Sequence, residues 1–349
     1  MTLPDPGLIA PRRIAVLGAG SWGTTFAKIL GDSAEASSVP TQIVLWARRD
    51  EVAEEIRTQH TNSTYLGQLP LPQNVTAQTD LTEVVTEAEV VVLAVPAQSL
   101  REHLRTIRGA TAEDAVFVSL IKGLERGTYM RMSEVIAEEL AVSPAQIAVV
   151  SGPNLAMEIA RGEPTASVVA SADESTAERI TAMCSTGYFR PYTNGDVIGV
   201  ELAGIVKNVI ALAVGFCDGQ DLGDNSKASV ITRGLAETRR LTAALGGEVE
   251  TLAGLAGLGD VVATCASPLS RNRSAGRLLG TGLTAEQTAQ EMTQTAEGMK
   301  SASAVVDLAR RHGVEMPIAE AVVAVLDGAL PVERLAKLLL ARDLKSEGK

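Results

Sequence analysis

A chain of 349 residues is long enough for two domains, each with its own core. Its 42 acidic side chains outnumber 31 lysines and arginines, for a net charge of −11. That balance argues against a general nucleic-acid or anionic-membrane surface, so any anionic ligand must be gripped by a few local cations and backbone N–H groups.

The N-terminal residues 1–11 are proline-rich and lack a basic region followed by an apolar run. They read as a disordered arm rather than a signal peptide. RRIAVLG (12–18) reads as a strand and the segment from Ser21 to about Gly31 as a helix, followed by a long connection of roughly eleven residues to QIVLWAR (42–48). EVVVLAV (89–95), stopped by Pro96, then AVFVSLI (115–121) and QIAVVSG (146–152) repeat the strand pattern. PTASVVAS (164–171) and YFRPYTN (188–194) read as later strands, open to antiparallel pairing. Strand and helix in alternation predict an α/β fold: an N-terminal Rossmann-like doubly wound sheet over 12–196. An all-helical C-terminal domain is expected over 197–342, with 343–349 a frayed tail. Within it, 228–246 shows helical spacing ending at glycines, and LTAEQTAQEM (283–292) places Thr284 and Gln287 as a capping box. No uninterrupted apolar run reaches about 18 residues, so a soluble, cytoplasmic protein is expected. Cys184, Cys217 and Cys265 show neither a disulfide framework nor a metal-ligand spacing, and no metal is expected.

GAGSWG (18–23) directly follows the first strand and precedes the first helix. In that setting Gly18 permits a tight turn, Gly20 lets backbone approach a diphosphate, and Gly23 lets helix and strand pack closely. The second strand ends in Trp46-Ala47-Arg48-Arg49, with Asp50 only afterwards. Two guanidiniums suit a ribose 2′-phosphate, so NADPH is preferred over NADH; the alternative is the solvated start of a helix.

A carbonyl reductase also needs an acid beside the carbonyl oxygen. His60, His103 and His312 sit in surface-like settings, which leaves the lysines. Lys207 lies in VELAGIVKNVIALAVG (200–215), where burying an ammonium demands a partner or a task. Lys122 follows the strand 115–121, at the sheet edge where open α/β folds bind ligands; the alternative is a solvated loop lysine. In GLGDVVATCASPLSRNRSAG (257–276), Asp260 opens an apolar segment, and Ser270, Arg271, Asn272 and Arg273 mark a helix start that is either the grip a phosphate monoester needs or an N-cap with an exposed basic turn. SGPNLAMEIA (151–160) joins a strand end, a glycine and a helix start. A β-hydroxyacid dehydrogenase of the same architecture would want a carboxylate grip instead, and a non-catalytic NADPH sensor would not need Lys207.

GAGSWGT, AVPAQ, KGLE, SGPNLAMEIA, GVELAGIVKNVIALAVG, GLGDVVATCASPLSRNR and TAEGMKSA occur in this order. Together they resemble the bacterial NAD(P)-dependent sn-glycerol-3-phosphate dehydrogenase family over about residues 12–340. The resemblance implies reduction of dihydroxyacetone phosphate to sn-glycerol 3-phosphate, for phospholipid synthesis, by an enzyme of a kind that often pairs as a homodimer. It implies Lys207 as proton donor, and Lys122, Gly152, Asn154, Asp260, Ser270, Arg271 and Asn272 around the substrate. Ser21, Trp22, Arg48, Arg49, Lys122, Ala156, Arg271 and Glu297 would contact the dinucleotide. Asn154-Leu155 departs from the family's usual Ser or Thr followed by Phe, and the loop NSTYLGQLPLP lacks the usual Pro-Gly and receives no role.

Overall fold

In a computed structural model, the described residues are 11–37, 40–292 and 296–334. Residues 1–10 of the expected arm and the tail at 343–349 lie outside them. The chain divides into two compact units, Met1–Glu201 and Leu202–Lys349.

The first unit is built on one sheet of eight strands: β1 (Arg13–Leu17), β2 (Gln42–Trp46), β3 (Val75–Gln78), β4 (Val90–Leu93), β5 (Val116–Ser119), β6 (Ile147–Ser151), β7 (Thr165–Ser171) and β8 (Phe189–Asn194). Their order is β3-β2-β1-β4-β5-β6-β7-β8. The first six run parallel, β7 is antiparallel to β6, and β8 is parallel to β7. Successive strand residues point to opposite faces, and the core follows that alternation. Ile14 and Val16 belong to a cluster with Phe26, Ile29 and Phe189. Ala15 and Leu17 belong to a second cluster with Leu100, Leu104 and Val135. A parallel sheet buried on both faces reads as continuous apolar runs, which is why β1, β4, β5 and β6 are legible in the sequence.

Two local expectations need correction. The first helix, α1 (Ser21–Ser37), runs a turn and a half beyond Gly31, so most of the presumed connection to β2 is helical. Ala34 is buried on its inner face and Lys28 pairs with Asp32 four residues on, which carries the helix forward. The edge strand β3 was not anticipated. VTAQ is short and half polar, with only alternate residues buried, and gives no apolar run to read.

The two units divide inside the helix α2 (Val197–Gly219). By length and composition α2 could cross a membrane, but 89% of its most apolar window is buried, as in a protein core. The second unit contains α3 (Asp224–Ala244), α4 (Asp260–Ala266), α5 (Arg271–Gly280), α6 (Ala285–Glu291), α7 (Glu297–Arg311) and α8 (Pro317–Leu326), with no strand among its described residues. The capping box of α6 is present: Gln287 N donates to Thr284 Oγ1, and Thr284 N donates to Gln287 Oε1. At the start of α8, the Ile318 and Ala319 N–H groups donate to the buried Glu237 carboxylate of α3, a favourable place for an anion.

The crossing of α2 and α5 has no room for side chains. A Cβ on Gly276 would lie 2.2 Å from Leu212 O, and one on Gly215 would lie 2.2 Å from Arg273 O. One turn on, Gly219 and Gly280 meet in the same way. This backbone-to-backbone approach fixes α5 against the C-terminal end of α2.

Candidate active site

In the first unit, the turn from β1 into α1 has the geometry of a diphosphate cradle. Gly18 adopts φ +120°, and a Cβ there would lie 2.6 Å from Ala94 O at the end of β4, so only glycine fits. A Cβ on Gly23 would collide with Gly18 O at 2.0 Å. A Cβ added at Gly20 would meet nothing within 4 Å. That open side faces no protein, as close approach of a ligand requires. The cradle stands between β1 and β4, where the strand order reverses and open α/β sheets bind their ligands. Ser21 begins α1, whose N-terminal dipole favours an anion.

Some buried polar atoms in this unit make no hydrogen bond within the protein. Trp22 Nε1 and both Asn154 carboxamide atoms are inaccessible and make no hydrogen bond within the protein. Such groups are costly unless satisfied. Lys122 Nζ donates 3.0 Å to Gly152 O, so these residues meet at the ends of β5 and β6. Thr25 Oγ1 of α1 donates to Ala156 O, which joins the cradle helix to the segment carrying Asn154. Arg48 and Arg49 are exposed at the end of β2, with the Arg49 guanidinium 6.0 Å from the Tyr65 ring centre.

The loop that carries Lys122 is held by side chains not singled out from the sequence. Gln98 donates to Leu124 O and accepts from Arg126 N, and Arg101 forms a fork with both Glu125 oxygens. Arg131 pairs at 2.6 Å with Glu201, whose carboxylate also accepts from Ser133 N and Oγ. Burial pushes the Glu201 carboxyl above its ordinary range, against the pull of Arg131.

In the second unit, Lys207 is 8% exposed and Asp260 1%. Lys207 Nζ donates 2.7 Å to Asp260 Oδ1 and 2.7 Å to Thr264 Oγ1, and Thr264 Oγ1 donates in turn to Asp260 Oδ1. These acceptors engage two of the three ammonium protons. Thr264 was missed in the sequence, although its i,i+4 spacing from Asp260 on α4 puts both on one helix face. Asn208, next to Lys207, accepts from Asn272 Nδ2 at 2.8 Å, and Asn272 Oδ1 accepts from Gly298 N at 2.9 Å. Asn272 thus bridges α2, α5 and the first turn of α7. Ser270 caps α5 by accepting from Arg273 N, leaving its O–H to donate elsewhere. Arg273 Nε donates to Asp218, and its NH1 group donates to Ala266 O. Arg271 is exposed at the start of α5. Burial raises the Glu297 carboxyl, while Lys300 and Arg271 pull it back.

His312 is exposed, and His60 is half-buried. His103 is half-buried, with its ring edge-on to Trp46 and Nδ1 at 2.5 Å from Ser99 O. All three cysteines are free and buried, with burial raising their thiols to about 12, 11 and 12 for Cys184, Cys217 and Cys265. Among the described residues, no group of three or more His, Cys, Asp or Glu side chains could hold a metal ion.

A diphosphate cradle on a doubly wound sheet, in a chain that also buries an ion-paired lysine, places the protein among the nicotinamide-dependent oxidoreductases. Models of the N-terminus and C-terminus of NAD-dependent glycerol-3-phosphate dehydrogenase match residues 13–177 and 196–337, and the chain belongs to that family. It is 54% identical over 335 residues to the glycerol-3-phosphate dehydrogenase [NAD(P)+] of Thermobifida fusca, covering 96% of this chain and 98% of the relative. It is 50% identical to the Corynebacterium glutamicum protein of the same name, over 96% of this chain and 99% of that one. The crystal structure of glycerol-3-phosphate dehydrogenase from Coxiella burnetii superposes with a TM-score of 0.89 at 36% identity, over 95% of this chain and 99% of that chain.

Proposed function

We propose that the protein reduces dihydroxyacetone phosphate reversibly to sn-glycerol 3-phosphate with NADPH, or with NADH as the less favoured donor. The observation that carries the reading is the buried Lys207–Asp260–Thr264 relay. A lysine so held is costly without a task, and it occurs in a family of glycerol-3-phosphate dehydrogenases.

The bound dinucleotide supplies a hydride for the ketone carbon. Gly18, Gly20, Ser21 and Gly23 hold its diphosphate, with Trp22, Ala156 and Glu297 as further contacts. Arg48 and Arg49 receive the 2′-phosphate by charge-assisted hydrogen bonds. Lys207 presents its remaining N–H to the carbonyl oxygen and gives up a proton as negative charge develops there; in reverse it takes the proton of the alcohol. Asp260 stabilises the ammonium and, with Thr264, aims it. Ser270, Arg271 and Asn272 grip the phosphate at the start of α5, where helix N–H groups add to the hold. Lys122, Gly152 and Asn154 orient the rest of the substrate. In this reading the enzyme works in the cytoplasm as a homodimer, without inserting into a membrane, and feeds glycerophospholipid synthesis.

The test is the initial rate of NADPH and NADH oxidation with dihydroxyacetone phosphate, for wild type and Lys207→Ala. Loss of the general acid is expected to lower kcat by roughly 10²–10⁴-fold. A folded wild type that binds NADPH but does not turn over this substrate would refute the assignment.

A further inference from the structure

The segment following the helix Asp50–Gln59, which the sequence left without a role, reaches the cradle through one residue. Asn62 is fully buried. Its Nδ2 donates 3.0 Å to Ala19 O and 2.9 Å to Thr24 Oγ1. Ala19 lies between the first two glycines of the cradle, and Thr24 lies in the first turn of α1. Because a carbonyl oxygen only accepts, the Asn62 nitrogen must face it. One NH2 group therefore staples the loop to the helix it enters, across 43 and 38 residues of sequence.

We propose that Asn62 is a positioning residue for diphosphate binding, acting through the Ala19–Gly20 peptide. That peptide is planar and trans, so its C=O and N–H point in opposite directions. Anchoring Ala19 O on the buried Asn62 turns the Gly20 N–H away from the core. Gly20 is also the cradle position whose added Cβ would meet no protein atom. Asn62 is itself held in place. Glu55 accepts from Ser63 N at 2.7 Å, Thr61 Oγ1 at 2.9 Å and Ser63 Oγ at 3.0 Å, gripping the residues on either side. Its carboxyl stays below its ordinary value because these hydrogen bonds outweigh the effect of burial. The inference rests on the dinucleotide reading above and adds to it a residue that need not touch the ligand.

Calorimetric titration of the full chain with two fragments tests it: 2′-phosphoadenosine 5′-diphosphoribose, which contains the diphosphate, and adenosine 2′-monophosphate, which does not. Asn62→Leu keeps the approximate shape and removes the donors without adding a charge. It is expected to weaken the first fragment about tenfold, the worth of a lost hydrogen bond, and to leave the second at wild-type affinity. Should that variant not fold, Thr24→Val cuts one end of the staple and is expected to give a smaller loss with the same selectivity. Equal weakening of both fragments would reveal a merely structural role and overturn the proposal. Unchanged binding of both would also overturn it while leaving the dinucleotide reading intact. A folded wild type that binds neither fragment nor NADPH would overturn both.

Discussion

Lys207 Nζ lies 2.7 Å from Asp260 Oδ1, with both side chains closed to solvent and Thr264 hydrogen-bonded to each. Removing one partner of a buried pair strands the other charge and costs roughly 3–5 kcal/mol, whereas neutralising both is often near neutral. Lys207→Met is therefore expected to lose stability as well as turnover. The double variant Lys207→Met/Asp260→Asn should recover much of the stability and none of the turnover. Urea denaturation beside NADPH oxidation rates separates the two effects. A double variant no more stable than Lys207→Met would show that the pair is not the source of the loss.

The cradle glycines should respond differently to alanine. Gly18→Ala forces a side chain into φ +120° and against Ala94 O, a strain of about 1–3 kcal/mol before the collision is counted. Its melting temperature should fall. Gly20→Ala meets no protein atom, so its melting temperature should hold while its affinity for NADPH drops. Equal melting temperatures for the two variants would contradict this division.

Gly276→Ala drives a methyl group toward Leu212 O. Overpacking of this kind costs typically 1–3 kcal/mol, and here the obstacle is backbone. Because Ser270 and Asn272 stand at the head of the same helix, KM for dihydroxyacetone phosphate should rise with the loss of stability. An unchanged urea midpoint would show that the two helices separate at little cost.

Arg48 and Arg49 lie exposed at the end of β2, so replacing both with Gln should leave stability nearly unchanged. Hydrogen bonds to a charged group contribute about 1.5–3 kcal/mol. The preference for NADPH over NADH, measured as a ratio of kcat/KM, should fall by roughly tenfold or more. An unaltered ratio would assign the 2′-phosphate contact elsewhere.

Burial tends to raise the Asp218 carboxyl, but Arg273 and Lys227 outweigh it and hold the group below its ordinary value. A depressed folded pKa means that the contribution is fully present above the unfolded pKa of about 3.9 and is lost as pH falls below it. Stability measured from pH 6 downward should therefore decline faster for wild type than for Asp218→Asn. Parallel curves would place the acid sensitivity in other carboxylates.

What could be read in advance depended on whether the informative residues were neighbours in the chain. GAGSWG carries its turn, opening and helix start within six residues. Lys207 stood out because an ammonium interrupts an apolar helix. Thr264 was within reach through its spacing from Asp260. Gln98, Arg131 and Asn62 were not, since each acts on a partner 26 or more residues away and an isolated polar side chain gives no local pattern. β3 escaped because an edge strand with alternate burial needs no apolar run, and the extension of α1 because its outer face is polar.

By itself the sequence determined the alternation of apolar strands and amphipathic helices, the glycine turn and the family. All of these rest on local periodicity and contiguous motifs. Tertiary structure alone decided which acceptors close around the Lys207 ammonium, how tightly α2 and α5 meet at their glycines, and that a buried carboxamide reaches back to the cradle. The physical reason is that a buried donor or charge is satisfied by whatever the fold brings within about 3 Å, and that neighbourhood is set by packing, not by order along the chain.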